Sequence, residues 1–278
     1  MFNFFANIFG YVLNFIYNLV QNYGIAIIIF TILLKLCMLP MSIKQQKTLK
    51  KSAKVQEELK ILQDKYANDP VRLNQEMMDL YKKENMSPFS GCLSSILQMI
   101  IIISIFVLVS KPLTFMLHAD TNLINNYITE IQAGKEEKEP YEEIAVIREK
   151  SNEDKRVYIN MDFLGLDLSS IPAQNMSNWK VFVIPALYVI TSIISMKITT
   201  SMQQTSKPKE EIEKTDKKEN EEEDVVADMN KSMTYFMPIM SVSIAIIAPL
   251  GLALYWLVSN LLMIIERLVI NKFFKEEA

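Results

Sequence analysis

The sequence predicts an all-α polytopic membrane protein: five transmembrane helices, a cytoplasmic helical hairpin and an N-terminal interfacial helix. Three observations predict it. Hydrophobic residues make up 50% of the 278 residues, yet they come in blocks separated by densely charged stretches, a distribution that a soluble core does not need. Five blocks, 23–42, 91–110, 181–202, 233–248 and 250–272, are long or apolar enough to consider as spans. A run of lysines directly after the first block marks that side as cytoplasmic.

Residues 1–22 carry no charged side chain, so neither a cleaved signal with a basic leading region nor an early lipid-bearing cysteine is expected. Asn3, Asn7, Asn14, Asn18 and Asn22 fall within one arc roughly 100° wide on a helix. With Phe, Ile, Leu, Val and Tyr around the rest, residues 2–21 read as an amphipathic helix lying in the interface plane. A sixth span is the alternative.

The first span, 23–42, is followed by Lys44, Lys47, Lys50, Lys51 and Lys54, with no acid until Glu57. The amino terminus is therefore expected outside and 43–88 inside. Helical patterning runs from Lys44 to Tyr66 through Leu49, Ala53, Val55, Leu59 and Leu62, and Asp69-Pro70 supplies an N-cap and a first-turn proline for a helix over 70–84. Two such helices make a thinly apolar antiparallel hairpin, either a bare solvated element or a docking surface. After the second span, 91–110, the 113–180 loop is expected outside, with an acidic insert around 130–158 that includes Glu136, Glu137, Glu139, Glu142 and Glu143. The third span, 181–202, leads into a mixed-charge linker, 203–231, without apolar periodicity, which reads as disordered. Pro249 and Gly251 divide the last apolar stretch into a short span, 233–248, and a longer one, 250–272. One kinked helix is the alternative, at about twice a membrane thickness. The tail, 273–278, is cytoplasmic in this reading.

Lys35 is the residue in the wrong solvent. A charge near mid-bilayer costs roughly 2.5–3.5 kcal/mol even on the lenient insertion scale, so it should face protein or water. Snorkelling towards Pro40, about 7–8 Å of helix rise away, is the alternative. Thr31 lies one turn earlier on the same face, where threonine also commonly bonds back to its own helix. Glu266-Arg267 read as an interfacial, self-paired couple. Cys37 and Cys92 are too few for a disulfide framework, and the lone His118 has no metal-ligand company. The chain shows no phosphate-binding glycine loop, nucleophile elbow or acid–base constellation, so no catalytic residues, metal or cofactor are expected.

The stretch Tyr23–Pro40, followed by MSIKQQKTLKK and LQDKYANDPVRLNQEMMDLYKKENMSPFSGCLSSILQM, resembles the first span, hairpin and second span of the YidC/Oxa/Alb membrane protein insertases. The closing MTYFMPIMSVSIAIIAPLGLALYWLVSNLLMIIERLVINK resembles their last two spans. The resemblance implies a five-span core, an interfacial helix before the first span, and a water-filled groove open to cytoplasm and lipid but closed towards the outside. Lys35 occupies the position of the groove's usual arginine, which keeps the charge but loses the planar donor fork. Gln98 matches the family's second-span glutamine, and Tyr255-Trp256 the aromatic pair of its last span. Gln98 also reads as an interhelical hydrogen-bond donor, and Trp256 as an interfacial belt aromatic. Ser195 stands where many relatives carry glutamine. The acidic insert and the second internal loop have no counterpart in the family pattern.

The resemblance implies an insertase of the bacterial plasma membrane that acts, without nucleotide or cofactor, on nascent membrane proteins in the lipid bilayer. A Sec translocon and the ribosome stay open as further partners, and the short, nearly neutral tail argues for at most weak ribosome contact. Nucleic acid is not expected as a direct partner. The rivals are a small-anion transporter or channel, and a non-translocating assembly factor.

Overall fold

The computed structural model of the chain describes residues 1–67, 69–84, 90–133, 138–204 and 243–276. The 207–228 linker and most of the 233–248 segment lie outside them. The chain is helical in α1 (Phe2–Val20), α2 (Tyr23–Lys65), α3 (Pro70–Lys83), α4 (Ser90–Ser110), α5 (Pro112–Phe115), α6 (Thr121–Gln132), α7 (Glu142–Lys150), α8 (Val183–Gln204) and α9 (Leu250–Glu276). A two-stranded hairpin pairs β1 (Asp162–Phe163) with β2 (Leu166–Asp167). Among the described residues, three helices are long and apolar enough to cross a membrane, within Tyr23–Thr48, Trp179–Ile198 and Leu250–Ile270; Ile96–Ser110 is a shorter apolar helix.

α1 ends at Gln21, which turns left-handed (φ 51°) and returns its N–H to the Tyr17 carbonyl at 2.7 Å. Asn22 then caps α2, its side-chain oxygen accepting the Ile25 N–H at 3.0 Å. α1 is not among the helices apolar enough to cross. It buries Ala6, Gly10, Leu13, Ile16 and Tyr17 against the protein and leaves Phe4, Ile8, Tyr11, Phe15 and Leu19 exposed on the opposite side. The asparagines lie between these faces. Gly10 sets the closeness of this docking, because a Cβ there would overlap the Phe115 carbonyl.

α2 does not stop at the boundary expected near residue 42. It is one helix of 43 residues with Pro40 inside it, about 65 Å long at 1.5 Å per residue. Its far half folds against α3, which starts on Pro70 with Asp69 Oδ1 accepting the Arg72 N–H at 3.0 Å. Val55 and Leu80 are the buried apolar side chains of this hairpin among those described.

The 113–180 segment, read from the sequence as a loop, folds into a cap. α6 and α7 pack together and bury Ile124, Ile131, Ile144, Val146 and Ile147, with Val157, Ile159 and Met161 below them. Charge at both ends conceals this core, since Glu142, Glu143, Arg148, Glu149 and Lys150 flank the apolar run 144–147 of α7. The stretch 160–170 then works as a strap across the neighbouring helix ends. The Asn160 carbonyl accepts the Tyr23 N–H (3.0 Å), the Leu168 carbonyl the Gly251 N–H (3.0 Å) and the Ser170 carbonyl the Leu250 N–H (2.9 Å). The first N–H groups of α2 and α9 have no partners within their own helices, and the strap supplies them. Gly24 permits this approach, because a Cβ there would run into the Phe163 ring.

Residues 243–247 are helical, the helix breaks at 248–249, and α9 starts at Leu250. α9 packs on both α8 and α2. Tyr23 and Ile27 lie beside Gly251, so α2 and α9 start at one level.

Candidate functional site

Below the strap, α2, α8 and α9 carry polar side chains inside otherwise apolar helices. Lys35 is half-buried on α2, one turn past Thr31. Thr31 is 1% exposed and its hydroxyl donates to the Ile27 carbonyl of its own helix at 2.6 Å. The charges that act on Lys35 most strongly belong to Glu266 and Arg267 of α9.

On α8, Thr191 and Ser195 are buried. Asn260 of α9 donates to Ser192 Oγ at 3.0 Å and to Thr191 Oγ1 at 3.3 Å, which ties the two helices inside the apolar layer. One helical segment lower, Arg267 Nη1 reaches the Ser195 carbonyl (3.4 Å) and hydroxyl (3.5 Å). Arg267 thus joins α9 to Ser195 of α8, and with Glu266 it supplies the charges that act on Lys35 of α2. Arg267, read from the sequence as self-paired with Glu266, therefore also reaches α8. The missed signal was spacing: Asn260 and Arg267 are seven residues apart and share a helix face.

Two other sequence-selected residues lie farther up α9. Tyr255 is buried, and Trp256 is partly buried with its ring 5.8 Å from that of Tyr188. They sit about 17 Å along α9 from Arg267, towards the strap. Gln98 is half-buried on α4. The six residues therefore line different depths of the helix bundle.

Towards lipid, α2 exposes Ile32, Leu33 and Leu36, α8 exposes Leu187, Ile190 and Ile194, and α9 exposes Leu261, Ile265 and Leu268. Among the described residues, no group of three His, Cys, Asp or Glu side chains is placed to hold a metal ion. His118 instead anchors α1: its Nε2 lies 3.0 Å from Asn7 Oδ1 and its ring stacks on Tyr11 at 4.1 Å. A cavity of about 500 Å³, lined by Phe106, Ser110, Tyr141 and Glu143 among others, lies in the cap, away from Lys35.

Comparison with known proteins gives a consistent family. The sequence pattern described as 60Kd inner membrane protein matches residues 15–277. A Treponema denticola protein named "Membrane protein insertase YidC" is 25% identical over 96% of this chain and 37% of its own length. One of the same name from Caldanaerobacter subterraneus subsp. tengcongensis is 26% identical over 94% of this chain and 90% of its own length. One from Francisella tularensis subsp. novicida is 42% identical over 38% of this chain and 19% of its own length. The chain thus spans little more than a third of the Treponema relative but most of the Caldanaerobacter one. The match across nearly the whole chain, on a helical scaffold with membrane-crossing helices, makes this protein a member of the 60Kd inner membrane protein family, the YidC/Oxa/Alb group.

Proposed function

We propose that the protein is a membrane protein insertase and folding chaperone of the bacterial plasma membrane. Its proposed topology has five spans, an outside amino terminus and a cytoplasmic hairpin. The observation that carries the reading is the half-buried Lys35 of α2, on which the Glu266 and Arg267 charges of α9 act, below helix ends that the strap closes. Polar side chains at membrane depth that open away from a sealed end suit a half-length hydrophilic groove, whereas a through-going pore would leak ions.

The chemistry is transfer without bond making. Lys35 keeps the groove hydrated and attracts acidic groups of a short translocated segment, while the neighbouring apolar segment of the client slides into lipid. About 20 apolar residues at roughly −0.3 to −0.6 kcal/mol each supply on the order of −10 kcal/mol, enough to offset a few polar residues crossing. A potential negative inside favours outward movement of each acid by about 2.3 kcal/mol per 100 mV. Lysine provides a point charge without arginine's planar fork, so attraction does not depend on bidentate geometry. In this reading Thr31, Gln98, Ser195, Tyr255 and Trp256 line or frame the path, and no catalytic step is involved. Nascent membrane proteins and lipid are the partners, with a Sec translocon and the ribosome as further ones to test.

The test is insertion of a small single-span protein into liposomes holding the purified chain. Lys35→Arg is expected to work, Lys35→Ala to be weakened severalfold and Lys35→Glu to fail. Equal insertion by all four chains would overturn the role of the charge. Anion flux from the same liposomes without any client would point to a transporter instead.

A further inference from the structure

The hairpin carries a second, oppositely charged site. Between α2 and α3 lies an open groove of about 430 Å³, lined by Glu58, Ile61 and Leu62 from α2 and by Glu76, Asp79 and Leu80 from α3. Ile61 is 65% exposed although it sits beside the buried Leu80, so the groove has an apolar floor open to solvent and acidic walls. Lys83 also lines the groove, so three acids face one base along it, and Asp79 shares Lys82 at 3.4 Å on the outer surface, where such a pair contributes little. Glu76 accepts the Tyr66 hydroxyl at 3.4 Å, which keeps its carboxylate at the groove edge.

Charge is segregated along α2. Lys44, Lys47, Lys50, Lys51 and Lys54 occupy the stretch next to the membrane segment, and the acids begin at Glu57. Lys35 and Glu58 lie on the same helix, about 35 Å apart along its axis, close to the roughly 30 Å of a client span. The end of a membrane protein that stays in the cytoplasm is rich in Lys and Arg beside its apolar segment. An apolar floor between acidic walls complements that chemistry, and the lysine belt repels it from the membrane-proximal part of the helix.

We propose that this groove binds the basic, amphipathic flank of a client's retained end, so that α2 presents a cation to the translocated end and an acidic groove to the retained end of one span. The inference rests on the insertase reading, but its test does not require insertion. The full-length chain in neutral phosphatidylcholine nanodiscs is titrated into a labelled peptide of alternating leucine and lysine pairs, and into a counterpart with glutamate for lysine. The lysine peptide is expected to bind and the glutamate peptide not. The Glu58→Gln, Glu76→Gln, Asp79→Asn chain is expected to bind the lysine peptide about tenfold more weakly, whereas Lys35→Ala leaves binding unchanged. Glu58→Lys with Asp79→Lys, both at exposed positions, is expected to reverse the preference. Equal binding of both peptides, unchanged binding by the neutralised chain, or binding only when anionic lipid is added would overturn the proposal. If the liposome assay shows no insertion while the peptide preference holds, the insertase reading falls and the groove stands. The converse result removes the groove alone.

Discussion

Glu143 and Asp154 sit in the same cap but are held at opposite ends of the carboxylate range. Burial pushes the Glu143 carboxyl up, and its hydrogen bonds from the Thr114 N–H (2.9 Å) and hydroxyl (2.6 Å) pull only part of the way back. Asp154 is held well below the usual range, first by Arg156, whose Nη2 and Nε donate at 2.7 and 3.0 Å, and also by the Tyr127 hydroxyl at 2.9 Å. The signs follow by linkage. Glu143 binds its proton more tightly when folded, so its contribution is full below the ordinary carboxylate value and fades as pH rises through its folded pKa. Asp154 does the reverse, contributing fully above the ordinary value and losing that contribution on acidification. Hydrogen exchange of α6 and α7 as a function of pH is expected to show both limbs. Asp154→Asn should remove the acid-side loss, and Glu143→Gln should flatten the decline towards neutral pH. Unchanged profiles in both variants would show that these carboxylates do not couple to the cap's opening.

At the scale of elements, the docking of α1 depends on a missing side chain. α1 crosses the α5 turn at Gly10, where a Cβ would overlap the Phe115 carbonyl and backbone cannot step aside as a flexible side chain can. Gly10→Val is therefore expected to lift α1 from α4 and α5, at a cost of about 1–3 kcal/mol typical of overpacking. Amide exchange confined to α1 and residues 112–118 should accelerate, with α8 and α9 unaffected. Protection that stays unchanged in α1 would mean that the helix is held by its lipid-facing side alone. The strap is the other decisive element, because it pairs the opening N–H groups of α2 and α9 and so holds the two helices that flank Lys35 at one level.

For the whole molecule, the proposed insertase reading ranks clients by charge. In that reading Lys35 below a closed end and an acidic groove beyond a lysine belt favour proteins whose translocated segment is short and weakly charged or acidic and whose retained end is basic. Test proteins with the same apolar span but with acidic, neutral or basic translocated segments are expected to insert in that order in energised liposomes. Collapsing the potential should narrow the difference between the first two. Equal insertion of a strongly basic translocated segment would contradict this ordering.

Local chemistry was readable without a structure wherever the signal is short-range. The asparagine edge of α1, the Asp69-Pro70 start of α3 and the exceptional position of Lys35 all follow from residue type and helical period, since capping, steric and transfer free energies act over a few residues. Three features were not readable that way. The unbroken run of α2 from Tyr23 to Lys65 passes through Pro40, a residue that locally interrupts helices. The cap's core was concealed because the apolar run 144–147 is only four residues long and is flanked by charges at both ends of a short helix. The influence of Glu266 and Arg267 on Lys35 links residues more than two hundred positions apart. The sequence by itself determined which segments seek lipid, which seek water and which lysine belongs to neither. Only the tertiary structure decided which helix ends are sealed and which polar groups share the interior, because those outcomes depend on long-range contacts that no local period encodes.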